Sequence, residues 1–277
     1  MKTILFPTDF SNNADHALNY AIKLCHFLEA ELVILHSCRM NSFTYQLLND
    51  EQNDLTIVDQ ATKDLQAYCK KHSKEISSLK VTEVVEYGLA ADVIINYAKN
   101  NNVFLIVMGT KGARGIEEIL IGSNTSAVIQ KATRPILAIP VETKIKDIEK
   151  IAFATDFREN DIDAIQTLSG IASLFNAEII MTHITDFLVP INYEKALMDV
   201  FEDDIRSKVS YKNISFRVIK GNDQVKALNH FIEENNIDLI AVSTRKKNII
   251  TRLFDKSFTK KIAAHTTIPL LAFHDGK

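Results

Sequence analysis

The sequence predicts an α/β chain of two tandem doubly wound domains, each with a five-stranded parallel sheet and helices on both faces. Three observations carry this. Short apolar runs alternate with helical patterns along the chain, the mark of parallel pairing through right-handed crossovers. The runs are apolar almost throughout, as strands buried on both faces must be. The pattern of the first half also returns in the second.

Taken in order, Lys2 to Thr8 is a strand ending in Pro7-Thr8-Asp9-Phe10-Ser11, where Ser11 is a good helix N-cap. Ala14, Leu18, Ala21, Ile22, Cys25 and Leu28 recur at helical spacing and predict a helix over 12–29. ELVILHSC (31–38) is the second strand. Leu55, Val58, Ala61, Leu65 and Tyr68 mark a helix over 49–74, and its charges read as a solvated face. Lys80 to Tyr87 is a strand stopped by Gly88, Ala90 to Lys99 a helix, and Val103 to Met108 the fourth strand. Ser123 to Ala132 is helical, and Pro135 to Pro140 closes the unit as its fifth strand.

ILFPTDF (4–10) returns as IAFATDF (151–157), and AELVILHS (30–37) as AEIIMTHI (177–184), both displaced by 147. FLIVMGT (104–110) returns as DLIAVST (238–244), and TRPILAIP (133–140) as TIPLLAFH (267–274), both displaced by 134. The first copy is longer between its second and third strands. The expected domains are 1–142 and 147–277, with the charged stretch Val141 to Glu149 as linker.

Composition sets the class. A net charge of −3 offers no electrostatic footprint for nucleic acid. No run reaches the length of a membrane span, and the start has no signal-type apolar region. Three unpatterned cysteines signal neither a disulfide framework nor a zinc site. The expectation is a cytoplasmic protein without a membrane partner.

The chemistry concentrates after the fourth strand. Four of the eight glycines, Gly109, Gly112, Gly115 and Gly122, lie between positions 109 and 122. Glycine permits positive φ and lets a ligand approach the backbone without a Cβ in the way. Gly122-Ser123 opens a helix whose free N–H groups and positive dipole end favour phosphate, with Asn124 the next donor. Thr110 lies in the same loop, and Lys111 or Arg114 could pair with a terminal phosphate, though both also read as solvated loop charges. The loop is neither a Walker A nor a G-x-G-x-x-G sequence. In an open sheet, ligands sit beyond the carboxyl ends of the strands. That adds Pro7-Thr8-Asp9 and Ser37 to the expected wall, while Asp9 could equally serve an Asx turn or cap. His36 and His183 repeat at the end of strand two and read as hydrogen-bonding residues rather than metal ligands. No catalytic residue and no protein metal ligand is assigned.

This combination resembles the universal stress protein family, in its tandem two-domain form. Gly109, Gly112, Gly122 and Ser123 match the G-x2-G-x9-G-[S/T] signature of that family's ATP-binding branch, and Asp9 matches its aspartate after strand one. Ser37, following His36, occupies the place whose backbone contacts adenine. The resemblance implies a strand order 3-2-1-4-5, ATP as ligand with Mg2+ on its phosphates, and a stress-response regulatory role. It also implies dimers paired through fifth strands. Here strands 135–139 and 268–273 are expected to face each other within one chain as a pseudo-dimer, with a further homodimer and an unidentified protein partner left open. A slow ATP-hydrolysing enzyme and a non-nucleotide interaction module are the alternatives.

The second copy departs from the signature. Gly109, Gly112 and Gly122 become Ser243, Lys246 and Lys256, and only Ser123 keeps its like in Ser257. Side chains stand where backbone access is needed, so nucleotide is expected in the first domain alone. The basic loop from Arg245 to Lys261 reads as a solvated face that could still attract an anion.

Overall fold

The computed structural model describes residues 1–39, 52–110, 121–158, 161–244 and 266–274. The chain divides into two compact units, Met1–Val141 and Glu142–Lys277.

In the first unit the strands are β1 (Thr3–Pro7), β2 (Glu31–Cys38), β3 (Val81–Tyr87), β4 (Leu105–Gly109) and β5 (Ile136–Ile139). The helices are α1 (Asn12–Leu28), α2 (Gln52–Lys71), the single turn α3 (Ser73–Ile76), α4 (Ala90–Asn100) and α5 (Ser123–Lys131). The strand order is β3-β2-β1-β4-β5, and its pairs are parallel. This is the 3-2-1-4-5 order implied by the resemblance. Pro7 lies opposite Leu35 on one side of β1, and Leu5 opposite Ile106 on the other. The carboxyl ends of β2, β1 and β4 therefore lie side by side, with the reversal of strand order between β1 and β4.

The second unit repeats the plan with β6 (Lys150–Ala154), α6 (Asp161–Phe175), β7 (Glu178–Thr185), α7 (Ile191–Lys208), β8 (Ile214–Lys220), α8 (Gln224–Asn235), β9 (Leu239–Thr244) and β10 (Leu270–His274). Its order is β8-β7-β6-β9-β10, again parallel. Phe6 and Phe153, equivalent in the repeat, are fully buried in the central strand of each sheet.

Local chemistry sets the boundaries. Ser11 caps α1, its Oγ accepting from Ala14 N–H, and Glu29 ends the helix in the left-handed region at φ 49°. Gly88 ends β3 at φ 147°, a conformation that disfavours any side chain. Its N–H donates to Cys38 O, and Gly221 makes the same bond to Thr185 O in the second unit.

Two expectations change. The helix predicted over 49–74 breaks at His72, which leaves helical geometry (φ −99°, ψ 17°) with its Nε2 placed 3.2 Å from Asp15. Residues 49–51 lie outside the described residues. The predicted linker is also not a free tether. Glu149 and Lys150 N–H both donate to the Asp238 carboxylate at 2.9 Å, Lys146 pairs with the same side chain, and Thr143 donates to Thr267 O. A buried carboxylate accepting several charge-assisted bonds fixes the entry into β6.

Candidate functional site

The β1–α1 corner is built by a hydrogen-bond lock. Thr8 N–H donates to Leu35 O, which continues the β1–β2 ladder. The Thr8 hydroxyl accepts from Phe10 N–H at 3.0 Å, and Phe10 is held in the left-handed region at φ 62°. His36 Nδ1 donates to Thr8 O at 2.9 Å, which fixes the tautomer, because a carbonyl only accepts. The imidazole then stacks on the Phe10 ring, centroids 4.2 Å apart.

The lock turns Asp9 outward. Its carboxylate is exposed, and Oδ1 accepts from both the N–H (3.2 Å) and the hydroxyl (2.6 Å) of Ser11. Asp9 thus makes the Asx turn that the sequence offered as its alternative role, beside the Ser11 cap. Pro7 ends β1, and Ser37 lies half-buried near the end of β2.

Across the switch point, Gly109 ends β4 and its carbonyl accepts from the Thr125 hydroxyl at 2.8 Å. Thr110 is buried. Its N–H donates to Ile139 O and its carbonyl accepts from Gly122 N–H at 2.6 Å. The two ends of the glycine-rich segment are therefore tied together at the mouth of the sheet. Lys111, Gly112, Arg114 and Gly115 lie outside the described residues. Gly122 is the N-cap of α5, without a side-chain cap, and no acidic residue occupies the first turn. Ser123 and Asn124 are exposed at that turn. The sequence argument invoked positive φ for these glycines, and here the structure corrects it. Neither Gly109 nor Gly122 is among the positive-φ residues, and Gly122 sits at φ −64°, ψ 152°. At Gly122 the missing Cβ does not serve an unusual turn.

The second unit keeps the lock. Thr155 accepts from Phe157 N–H at 2.9 Å, Phe157 lies at φ 60°, His183 Nδ1 donates to Thr155 O at 2.8 Å, and the rings lie 4.2 Å apart. The legible signal was the TDF triplet with a histidine 28 residues after its threonine, in both copies.

Around that shared lock the second unit has changed. Arg158 replaces Ser11, and its guanidinium stands 3.5 Å from the Asp156 carboxylate, whose side chain is nearly buried. Thr155 also donates to buried Asp161 at 2.7 Å. Beyond β7, His183 Nε2 lies 3.3 Å from buried Glu194, which accepts from Thr185 as well. An open cavity of about 510 Å³ sits at the ends of β7 and β8, with Asp186, Glu194 and Asp223 in its wall and neither Lys nor Arg. Its carboxylates repel phosphate. Ser243 is buried in β9, while Lys246, Lys256 and Ser257 lie outside the described residues.

Among the described residues, no group of three or more His, Cys, Asp or Glu side chains could hold a metal ion, and no helix is long and apolar enough to cross a membrane.

Comparison with known proteins places these features. The model of the "Universal stress protein family" matches residues 1–140 and again 147–274. Universal stress protein MJ0577 of Methanocaldococcus jannaschii is 29% identical over 157 residues, which cover 50% of this chain and 94% of the relative. Universal stress protein YxiE of Bacillus subtilis is 28% identical over 146 residues, covering 49% and 97%. Among solved structures, a universal stress protein from Archaeoglobus fulgidus superposes with a TM-score of 0.74 at 18% identity, covering 99% of this chain and 98% of that one, a likeness of fold.

Proposed function

The chain belongs to the universal stress protein family as a tandem two-domain member, and from that premise we propose that its first unit is an ATP-binding regulatory module while its second unit does not take nucleotide. The observation that carries the reading is the start of α5: an N-cap glycine, an exposed Ser123 and Asn124, and a first turn free of acidic residues. The unpaired N–H groups and positive dipole end of such a turn suit a phosphate. The triphosphate would lie on this turn with Mg2+ on its own oxygens. Pro7, Thr8, Asp9 and the Ser37 backbone would wall the nucleoside.

Assignment to the first unit is supported by the contrast between two copies of one corner. Asp9 is exposed and accepts from Ser11, whereas the nearly buried Asp156 side chain lies beside the Arg158 guanidinium. Nucleotide binding at the first turn of α5 would change a surface that a protein partner reads. The proposed role is sensing in the cytoplasm, with at most weak ATP turnover. The two units would pair as a pseudo-dimer through strands 135–139 and 268–273, since each is the terminal apolar strand of its own sheet and an open edge invites pairing.

Isothermal calorimetry with Mg-ATP on the wild type and on Gly122→Lys tests the site. A lysine can adopt the backbone angles of Gly122, so the helix should persist while its side chain crowds the phosphate turn. Binding by the wild type and at least a tenfold loss in the variant is the expected result. Equal binding by both would overturn the assignment.

A further inference from the structure

We propose that the outer face of α7 is a self-association surface, on which α7 of a second copy of this chain packs antiparallel about Leu197.

The surface is anomalous for the fold. Tyr193, Leu197 and Val200 recur at i, i+4 and i+7 and share one helix face. Tyr193 is 60% exposed and Val200 70%. The turn before the helix adds Phe187 and Leu188, the latter 90% exposed. A separate face about a quarter-turn away, with Met198, Phe201 and Ile205, is buried within the unit, so the exposed stripe is not needed for the fold. The equivalent α2 of the first unit makes the same point. None of its described side chains is an exposed large hydrophobic, and its exposed positions include Asp59, Gln60, Lys63 and Asp64. Contiguous exposed apolar surface of this kind marks an interaction site.

The turn is also hydrogen-bonded. Leu188 N–H donates to Asp186 Oδ1 at 2.9 Å, and Lys220 Nζ donates to the carbonyls of Phe187 (3.4 Å) and Val189 (3.1 Å). The backbone that carries its apolar side chains is thus held by three hydrogen bonds, which lowers the ordering cost of association.

The charges along the stripe select the occupant. The same face continues into Asp204 and Lys208, which pair with each other. In an antiparallel pair centred on Leu197, a residue a given number of positions after the centre meets the one the same number before it. Asp204 then falls opposite Pro190, the N-cap of the partner's helix, which lacks a side-chain cap. A carboxylate is favoured at that positive end. Lys208 falls beyond the start of the partner's helix, on the side of the turn that carries Phe187 and Leu188, where its aliphatic chain can cover them. Parallel pairing would instead set Asp203 and Asp204 against their own copies. One isologous contact therefore covers all five apolar side chains and matches the charges at both ends.

Sedimentation velocity on the full chain over a concentration series tests this. The wild type is expected to shift to a dimer. Leu197→Asp, an exposed substitution that should leave the circular dichroism spectrum unchanged, is expected to remain a monomer. Leu197→Cys places the new thiol on the two-fold axis and is expected to cross-link to itself under mild oxidation, the native described cysteines being buried. A wild type that stays monomeric at every concentration, a Leu197→Asp variant that still dimerises, or failure of Leu197→Cys to cross-link would each overturn the proposal.

Discussion

Phe10 lies flat against His36, ring centroids 4.2 Å apart and planes within 23°, while its own backbone is held at φ 62°. A bulky residue in the left-handed region costs about 1–2 kcal/mol. The Thr8 hydroxyl, the His36 bond to Thr8 O and the ring stack together hold it there. Phe157 and His183 repeat the hydrogen bonds, the left-handed backbone and the close ring contact, with the planes tilted by 33°. The lock therefore belongs to the fold, and the difference in proposed function lies in what surrounds it.

Substitution at position 10 separates strain from packing. Phe10→Ala loses the ring contacts but keeps the strained angle. Phe10→Gly loses the same contacts and relieves the strain. Glycine is therefore expected to leave the chain about 1 kcal/mol more stable than alanine, the reverse of the usual order in regular structure. Urea denaturation of the two variants reads this directly, and an alanine variant at least as stable would remove the case for strain.

The two threonines differ in what they leave behind. Thr8→Val removes the acceptor for Phe10 N–H, a loss of about 1 kcal/mol. Thr155→Val removes the equivalent acceptor and also strips buried Asp161 of a donor at 2.7 Å. The second substitution should destabilise by about 1–3 kcal/mol more than the first. Equal losses in paired denaturation curves would mean that Asp161 finds another donor at no cost.

Acid should weaken the first unit at Asp15. Burial alone would raise its carboxyl, but the Lys71 hydrogen bond and the nearby charges of His72 and Lys71 outweigh it and hold the group below the ordinary carboxylate range. A carboxyl depressed in the folded state stabilises above its unfolded value of about 3.9, and that contribution fades as pH falls through the folded value. Asp15→Asn should therefore flatten the stability–pH curve below about pH 4 while leaving its neutral limb parallel to wild type. An unchanged acid limb would argue against the coupling.

Thiol chemistry should be silent in the folded chain. Cys25, Cys38 and Cys69 are buried, and burial pushes the thiols of Cys25 and Cys69 up to about 12. The thiolate is the reactive form, so a thiol-reactive dye should label none of the three until denaturant is added. Rapid labelling of native protein would show that these sites open.

Much of the fold was legible because it rests on local pattern. The apolar runs that became β1, β2, β4 and β5, and their return at fixed displacement, report burial on both faces of a sheet. Side-chain contacts between distant segments left no such trace. Nothing near His72 announces that its ring will meet Asp15 and end α2. Asp238 shows no sign in the sequence of accepting from Glu149 and Lys150 and so tying down the linker. At the site, the start of α5 was readable from Gly122-Ser123. The reason for the glycine was not, since φ depends on how Thr110 O takes the Gly122 N–H. Arg158 replaces a capping serine in the repeat, but its approach to Asp156 appears only once the corner is folded.

The central claim is that nucleotide is held by the first unit alone. Photo-cross-linking of the full chain with azido-ATP and Mg2+, followed by peptide mapping, tests it most directly. The expected labelled peptides come from the β1–α1 corner and the segment between β4 and α5, and labelling is competed away by unmodified ATP. Labelled peptides from Glu142–Lys277, competed in the same way, would contradict it.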